Sequence, residues 1–385
     1  MFKKLSSGIL QRRLINVNKY QLSTAAEPTL KQEETFRTSE NSPLNHSKDH
    51  ASKFYRISPD LKKRLFAHGG FPKSFETHVK TFAENCVMIR EPALDVISSL
   101  KVLDYSQPAV RFVLYGKKGV GKSISLAHIL HYGHEAGFLL VHVPWVGSWM
   151  RRCKENSNST TKEGYVDLPL DAAAWLIHFK TQNQHILNDP NLIISQDYQW
   201  SKRETTLKGA PLMELVDHGI NRVKYASDCV VVLAEEIKKL ANEGKCKTLV
   251  AIDGFNAFFY PHIRVYTEKK EAVPPSKVTL TEAFINLTKY NWCNGVCILT
   301  VDELAIPEEA QVSHLPLYLL GKQGFEHVDP FVPVHITGYN EKELISCLDY
   351  FRERRWIQTD PKHDEELALL SSYNPYRLMQ ICAPL

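Results

Sequence analysis

Several things are missing from this 385-residue chain, and each absence narrows its chemistry. No apolar run approaches the length needed to span a bilayer, which predicts a chain without a membrane helix. The eight cysteines contain no C-x-x-C pair, which argues against both a zinc site and a disulfide framework and suits a reducing compartment. Cys293 and Cys297 stand four apart with no second ligand pair nearby, so they read as core thiols. Residues 1–26 lack any acidic residue but carry Lys3, Lys4, Arg12, Arg13 and Lys19. That basic, serine-containing composition predicts a mitochondrial transit peptide, with a disordered basic tail as the plainer alternative. The whole chain carries a formal charge of +4, and five of its positive charges lie in that segment, so the remainder comes to −1. Bulk charge therefore gives no argument for nucleic-acid binding.

What the chain does have is organised around Gly116-Lys117-Lys118-Gly119-Val120-Gly121-Lys122-Ser123. These residues fit G-x-x-x-x-G-K-[ST], the phosphate-binding P-loop. The context fits too. Val110–Tyr115 is an apolar run of strand length, and apolar residues recur at helical spacing after Ser123. The glycines can turn successive N–H groups onto phosphate oxygens, and the helix that follows adds its positive dipole end. Lys122 should reach the β- and γ-phosphates, and Ser123 should ligate Mg²⁺. Downstream, Lys247–Asp253 is an apolar strand ending in a carboxylate, which predicts the second Mg²⁺ ligand. Gly295–Thr300 is a buried strand ending in a hydroxyl. The residue after Asp253 is Gly254, where the similar AAA-plus P-loop ATPases usually place a glutamate that polarises the attacking water. Slow or absent hydrolysis is therefore expected from that pattern, and Gly254→Glu is expected to raise it if the backbone there accepts a side chain.

The remaining segments read coarsely. Residues 27–53 are polar and predict a flexible linker, with order beginning near Phe54. Helices are expected over 60–66, 75–87, 91–102, 170–188, 280–291, 341–352 and 364–371, and one long helical stretch over 212–243. Residues 138–143 and 332–336 read as further strands, the second at a sheet edge because of Pro333. Residues 151–165 predict an exposed loop. The charged segment 261–278 predicts a solvated loop, with a docking loop as the alternative. His128, His131 and His134 follow at i, i+3 and i+6 and read as a helix side near solvent rather than a metal face. The fold class expected is α/β, a mostly parallel sheet sandwiched by helices over 54–337, with a small helical lid over 338–385.

The order strand, P-loop, helix, strand, strand-Asp, strand-Thr resembles the AAA-plus branch of P-loop NTPases. Arg90-Glu91-Pro92-Ala93-Leu94 resembles that branch's segment over the nucleotide base, Thr300 its γ-phosphate sensor, and Asn374-Pro375 the start of its lid. A closer resemblance rests on Tyr115–Ser123, Trp200-Ser201-Lys202-Arg203-Glu204, Ala251-Ile252-Asp253-Gly254-Phe255-Asn256-Ala257, Leu320-Gly321-Lys322-Gln323-Gly324-Phe325 and Asp329-Pro330-Phe331. In matching order from about residue 54 onward, these are similar to the death-associated protein three family of GTP-binding mitochondrial small-subunit ribosomal proteins. The resemblance implies a matrix protein in the head of the small ribosomal subunit, near the large subunit. It implies contacts with ribosomal proteins and rRNA, a bound GTP or GDP, and a role in cell death. The chain has no Asn-Lys-x-Asp guanine-reading motif, so GTP rests on the resemblance and ATP stays open.

Overall fold

The computed structural model describes residues 35–261, 263–267 and 269–383. The expected transit peptide and residues 27–34 of the expected linker lie outside them. The strands, in chain order, begin with β1 (Phe54–Arg56) and β2 (Cys86–Met88), which pair antiparallel. Then come β3 (Val110–Tyr115), β4 (Leu139–Val143) and two short antiparallel ribbons, β5–β6 (Ser157–Asn158 with Val166–Asp167) and β7–β8 (Tyr198–Gln199 with Thr205–Thr206). β9 (Thr248–Ile252), β10 (Gly295–Thr300) and β11 (Val332–His335) complete the set.

The central sheet has five strands in the order β11-β3-β10-β9-β4, all parallel. Every residue of β4, β9 and β10 is buried, which is why these strands read as continuous apolar runs rather than alternating ones. Along β3 successive side chains enter different cores: Phe112 and Leu114 one, Val113 the other. The first core is covered by α3 (Glu91–Val102) and α4 (Lys122–Glu135). The second is covered by α6 (Pro169–Asn183), α8 (Ala226–Asn242) and α9 (Thr279–Leu287). The α/β class with a parallel sheet between helices is therefore as expected. β11 lies at the sheet edge, where the missing N–H of Pro333 costs no ladder bond.

Several elements differ from expectation. The stretch 212–243 is not one helix. It breaks at Arg222, with φ −116° and ψ 69°, between a helix over Leu212–Asn221 and α8. Both pieces pack on α6 and on each other, and Val216 and Val230 enter the same core. The helix expected over 75–87 spans Lys73–Phe82 and stops at Ala83, which is left-handed. Residues 86–88 are then free to pair with β1. Part of the expected loop 151–165 is regular: Arg151 and Arg152 end the helix Val146–Arg152, and residues 157–158 pair with 166–167.

Residues 35–53, expected to be a flexible linker, are packed. Thr38 N–H donates to Phe54 O and Phe54 N–H to Phe36 O, while Pro43 is buried. His46 is only 4% exposed; its Nδ1 lies 2.9 Å from His128 Nε2 and its ring meets Tyr55 edge-on. Order thus begins before Phe54, because a few aromatic and imidazole rings in a polar stretch suffice to seat it. The same contacts correct the histidine reading. His128 and His131 are buried, and His131 pairs with Tyr55 and Glu135. No group of three or more His, Cys, Asp or Glu able to hold a metal occurs among the described residues.

The C-terminal helices α11 (Glu341–Glu353), α12 (Asp364–Ser371) and α13 (Pro375–Cys382) share a third core with Phe54, Phe82, Cys86 and Met88. The two ends of the described chain are thus joined by apolar packing beside the P-loop.

Candidate nucleotide site

The sheet carries the site at its carboxyl edge. β3, β10 and β9 are adjacent, and their C-terminal ends deliver the P-loop, Thr300 and Asp253 to one place. The loop needs its glycines. Gly116 has φ +150°, and a Cβ there would stand 2.2 Å from Ile336 O. Gly119 has φ +83°, and a Cβ would stand 2.8 Å from both Asn374 Oδ1 and Tyr376 Cβ. Beyond the loop, α4 begins at Lys122. No backbone carbonyl among the described residues accepts from the N–H groups of residues 119–123. Five consecutive donors at a helix N-terminus are thus left without a backbone acceptor, as an anion-binding loop requires.

The expected residues separate by role. Lys117 and Lys118 are exposed, and Val120 is a core side chain whose carbonyl accepts from Arg90. Lys122 is 3% exposed, and its ammonium donates to Gly116 O at 2.7 Å and Lys117 O at 3.0 Å. Asp253 is buried at the end of β9 and accepts from the hydroxyl of Thr300, with Ser123 near enough to favour its charged form. Burial pushes its carboxyl up to about 6; Asp302 adds to the rise, while Ser123, Thr300 and Lys122 oppose it. A buried carboxylate beside a serine hydroxyl fits a divalent cation, whose other ligands would come from phosphate and water. Thr300, expected to sense a phosphate, has its hydroxyl engaged: it donates to Asp253 and accepts from Gly254 N–H at 2.9 Å.

Gly254 corrects one expectation. Its φ is +72°, and a Cβ would lie 2.8 Å from the Trp145 ring. The backbone there does not accept a side chain, so a glutamate cannot be installed cleanly at that position.

Other site residues were not singled out in the sequence. Asp302 follows Thr300 by two, and its Oδ2 lies 3.0 Å from Lys122 Nζ. Glu303 Oε2 accepts from Lys118 N–H at 2.9 Å. The available signal was their place just past a strand whose end faces the P-loop. Arg90, which opens the segment expected over the base, lines the cavity beside the loop and joins elements. It forms a bidentate pair with Glu343 at 3.0 and 2.9 Å and donates to Val120 O at 2.7 Å and Gly338 O at 2.9 Å. Asn374 Nδ2 donates to Lys118 O and Tyr376 N–H to Gly119 O, so the start of α13 sits on the loop. A cavity of about 530 Å³ runs from the loop past Arg90 to Phe54, Phe82, Tyr350 and Phe351. Glu84 also lines it, but Arg37 and Arg354 hold its carboxylate.

Comparison with known proteins then settles the family. Residues 87–381 match the family described as mitochondrial ribosomal death-associated protein 3. The chain belongs to that family. A relative from Bos taurus, named small ribosomal subunit protein mS29, is 38% identical over 360 residues, covering 92% of this chain and 90% of the relative. The protein of that name from Mus musculus is 36% identical, covering 91% and 89%. Solved structures similar to the chain include a Walker-type ATPase of Pyrococcus abyssi, at 15% identity and TM-score 0.36, covering 76% of this chain and 65% of that one. Another is the Aeropyrum pernix ORC2 protein, at 13% identity and TM-score 0.34, covering 76% and 60%. The span matched to the death-associated protein 3 family includes residues 116–123, Asp253, Thr300 and the start of α13. No helix among the described residues is long and apolar enough to cross a membrane.

Proposed function

We propose that this protein is a component of the small subunit of the mitochondrial ribosome that holds a purine nucleotide and turns it over slowly or not at all. The ribosomal part rests on the family and on the names of its relatives. Its partners would then be small-subunit proteins and rRNA, with the large subunit close by, and its place the mitochondrial matrix. Residues 1–26 are proposed as the import segment; a reporter carrying only those residues and staying cytosolic would refute that.

The nucleotide part is carried by one observation, the convergence of Lys122, Ser123 and Asp253 beneath five unpartnered loop N–H groups. Lys122 and those N–H groups offset phosphate charge. Ser123 and Asp253 would hold Mg²⁺, which supplies further charge neutralisation at the phosphates when bound. The aromatic end of the cavity suits a purine, and its volume lies within the roughly 300–1,000 Å³ of small-molecule sites. With Glu84 engaged by arginines, nothing at that end favours guanine by a carboxylate, so both GTP or GDP and the adenine nucleotides are to be tested. The α13 contact on the loop supports reading the C-terminal helices as a lid.

Slow turnover follows from Gly254, which leaves no carboxylate next to Asp253 to orient water. Single-turnover hydrolysis, free and on ribosomes, checks this; a rate near the roughly 1 s⁻¹ or more of ordinary enzymes would favour a working NTPase switch, with Asp302 as its water-positioning group. Co-sedimentation of the full chain with mitochondrial small subunits tests the ribosomal part.

A further inference from the structure

We propose that Asp302 makes the site selective for a nucleoside diphosphate over the triphosphate, by holding a carboxylate where a terminal phosphate would meet Lys122. This rests on the reading of the loop as a nucleotide site. The lysine of a P-loop is the side chain that meets the outer phosphates. Here Lys122 Nζ already has a carboxylate oxygen, Asp302 Oδ2, at 3.0 Å, with the side chains 3% and 11% exposed.

That carboxylate is not free to swing away. Asp302 Oδ1 accepts from Leu304 N–H at 2.8 Å, which caps the short turn Glu303–Ala305. The Asp302 backbone is clamped on both sides by the fully buried Asn256. Asp302 N–H donates to Asn256 Oδ1 at 3.0 Å, and Asn256 Nδ2 donates to Asp302 O at 3.0 Å. Glu303 continues the pattern: its Oε2 takes the Lys118 N–H at 2.9 Å, removing that donor from the loop's set. The inner N–H groups, of residues 119–123, stay available. Two phosphates can be served by those donors and by a cation on Ser123 and Asp253. A third would sit beside a fixed negative charge and compete with it for Lys122. Like charges about 4 Å apart at an effective dielectric near 20 repel strongly enough that, after screening by Mg²⁺ and water, a penalty on the order of tenfold in affinity is expected.

The experiment is equilibrium titration of the full chain, with Mg²⁺, against fluorescently labelled GDP, GTP, ADP and ATP. The wild type should bind the diphosphate of each base about tenfold more tightly than its triphosphate. Asp302→Asn keeps the side-chain volume and an oxygen for Leu304 N–H. It should raise triphosphate affinity about tenfold and diphosphate affinity far less, closing the gap. Glu303→Gln, which spares the Asn256 clamp, should narrow the gap by a smaller factor and gives the same readout should Asp302→Asn misfold. Equal or tighter triphosphate binding by the wild type overturns the proposal. So does a gap unchanged in the Asp302→Asn protein, including the case where that variant loses only hydrolysis, which would make Asp302 a water-positioning group. Absence of binding by all four nucleotides would instead overturn the nucleotide reading itself, and this proposal with it.

Discussion

Replacing Arg90 with leucine removes a guanidinium that fastens three parts of the molecule together. Its Nε and Nη2 hold Glu343 at the start of α11, Nη1 holds the Val120 carbonyl of the P-loop, and Nη2 also reaches Thr337 O and Gly338 O after β11. Both ends of the ion pair are buried, at 6% and 3% side-chain exposure. Glu343 is itself fixed, because it closes a capping box with Asn340. In Arg90→Leu that carboxylate stays buried without its cation, a situation that costs about 3–5 kcal/mol. Against a typical domain stability of about 5–15 kcal/mol this is a large fraction. Urea unfolding monitored by far-UV circular dichroism should therefore show a much lower midpoint for Arg90→Leu and for Glu343→Leu. The double variant removes both charges and should recover most of the loss, since a buried apolar pair of similar volume is close to neutral. Nucleotide affinity should fall in Arg90→Leu as well, because the Val120 carbonyl loses the contact that sets the loop. A single-variant loss below about 1 kcal/mol, the worth of a surface pair, or a double variant equal to the sum of the singles, would refute the role assigned to this contact.

Three further outcomes are expected. Excess Mg²⁺-nucleotide at about 100 times its Kd should stabilise the wild type by about 2.7 kcal/mol and leave Lys122→Ala unmoved in a thermal melt; an unshifted wild-type Tm would refute a structural role for the ligand. Gly254→Ala should destabilise by roughly 1–3 kcal/mol, through its left-handed φ and its approach to Trp145, with no gain in hydrolysis; a variant as stable as the wild type would show that the ring moves freely. His142 is fully buried, accepts at Nδ1 from Gln182, and is pushed down to about 3 by burial. Unfolded, it protonates near 6.5, so below that pH the unfolded state binds a proton that the fold does not, and stability falls as pH drops toward 3. His142→Gln should therefore flatten the pH dependence of stability in that window by about 1.4 kcal/mol per pH unit; parallel curves for the two proteins would contradict the assignment.

Much of the site was legible because it is local. A P-loop needs glycines at fixed offsets, a strand before it and a helix after it, and all of these lie within neighbouring residues. Asp253 and Thr300 were legible for a related reason: strands buried on both faces read as unbroken apolar runs, and the residue ending each run lies on the sheet's carboxyl edge. The sheet-edge position of β11 was visible in Pro333.

By itself, then, the sequence determined the loop, the strands and the α/β class, because these depend on backbone sterics and short-range periodicity. Tertiary structure alone decided what surrounds them. Arg90 meets Glu343 across 253 positions, and Asn374 reaches Lys118 across 256. Nothing near either residue encodes its partner. The break at Arg222 was decided by the need to bring two apolar faces onto α6, which overrode a helical period that runs on through the sequence. Burial of His128 beside His46, and the packing of residues 35–53 generally, depended on which surface α4 turned toward the N-terminal segment. Asp302 was plain as a residue but silent as a group. Its 3.0 Å approach to Lys122 exists only because β3 and β10 are neighbours in a parallel sheet whose strand ends open on one side.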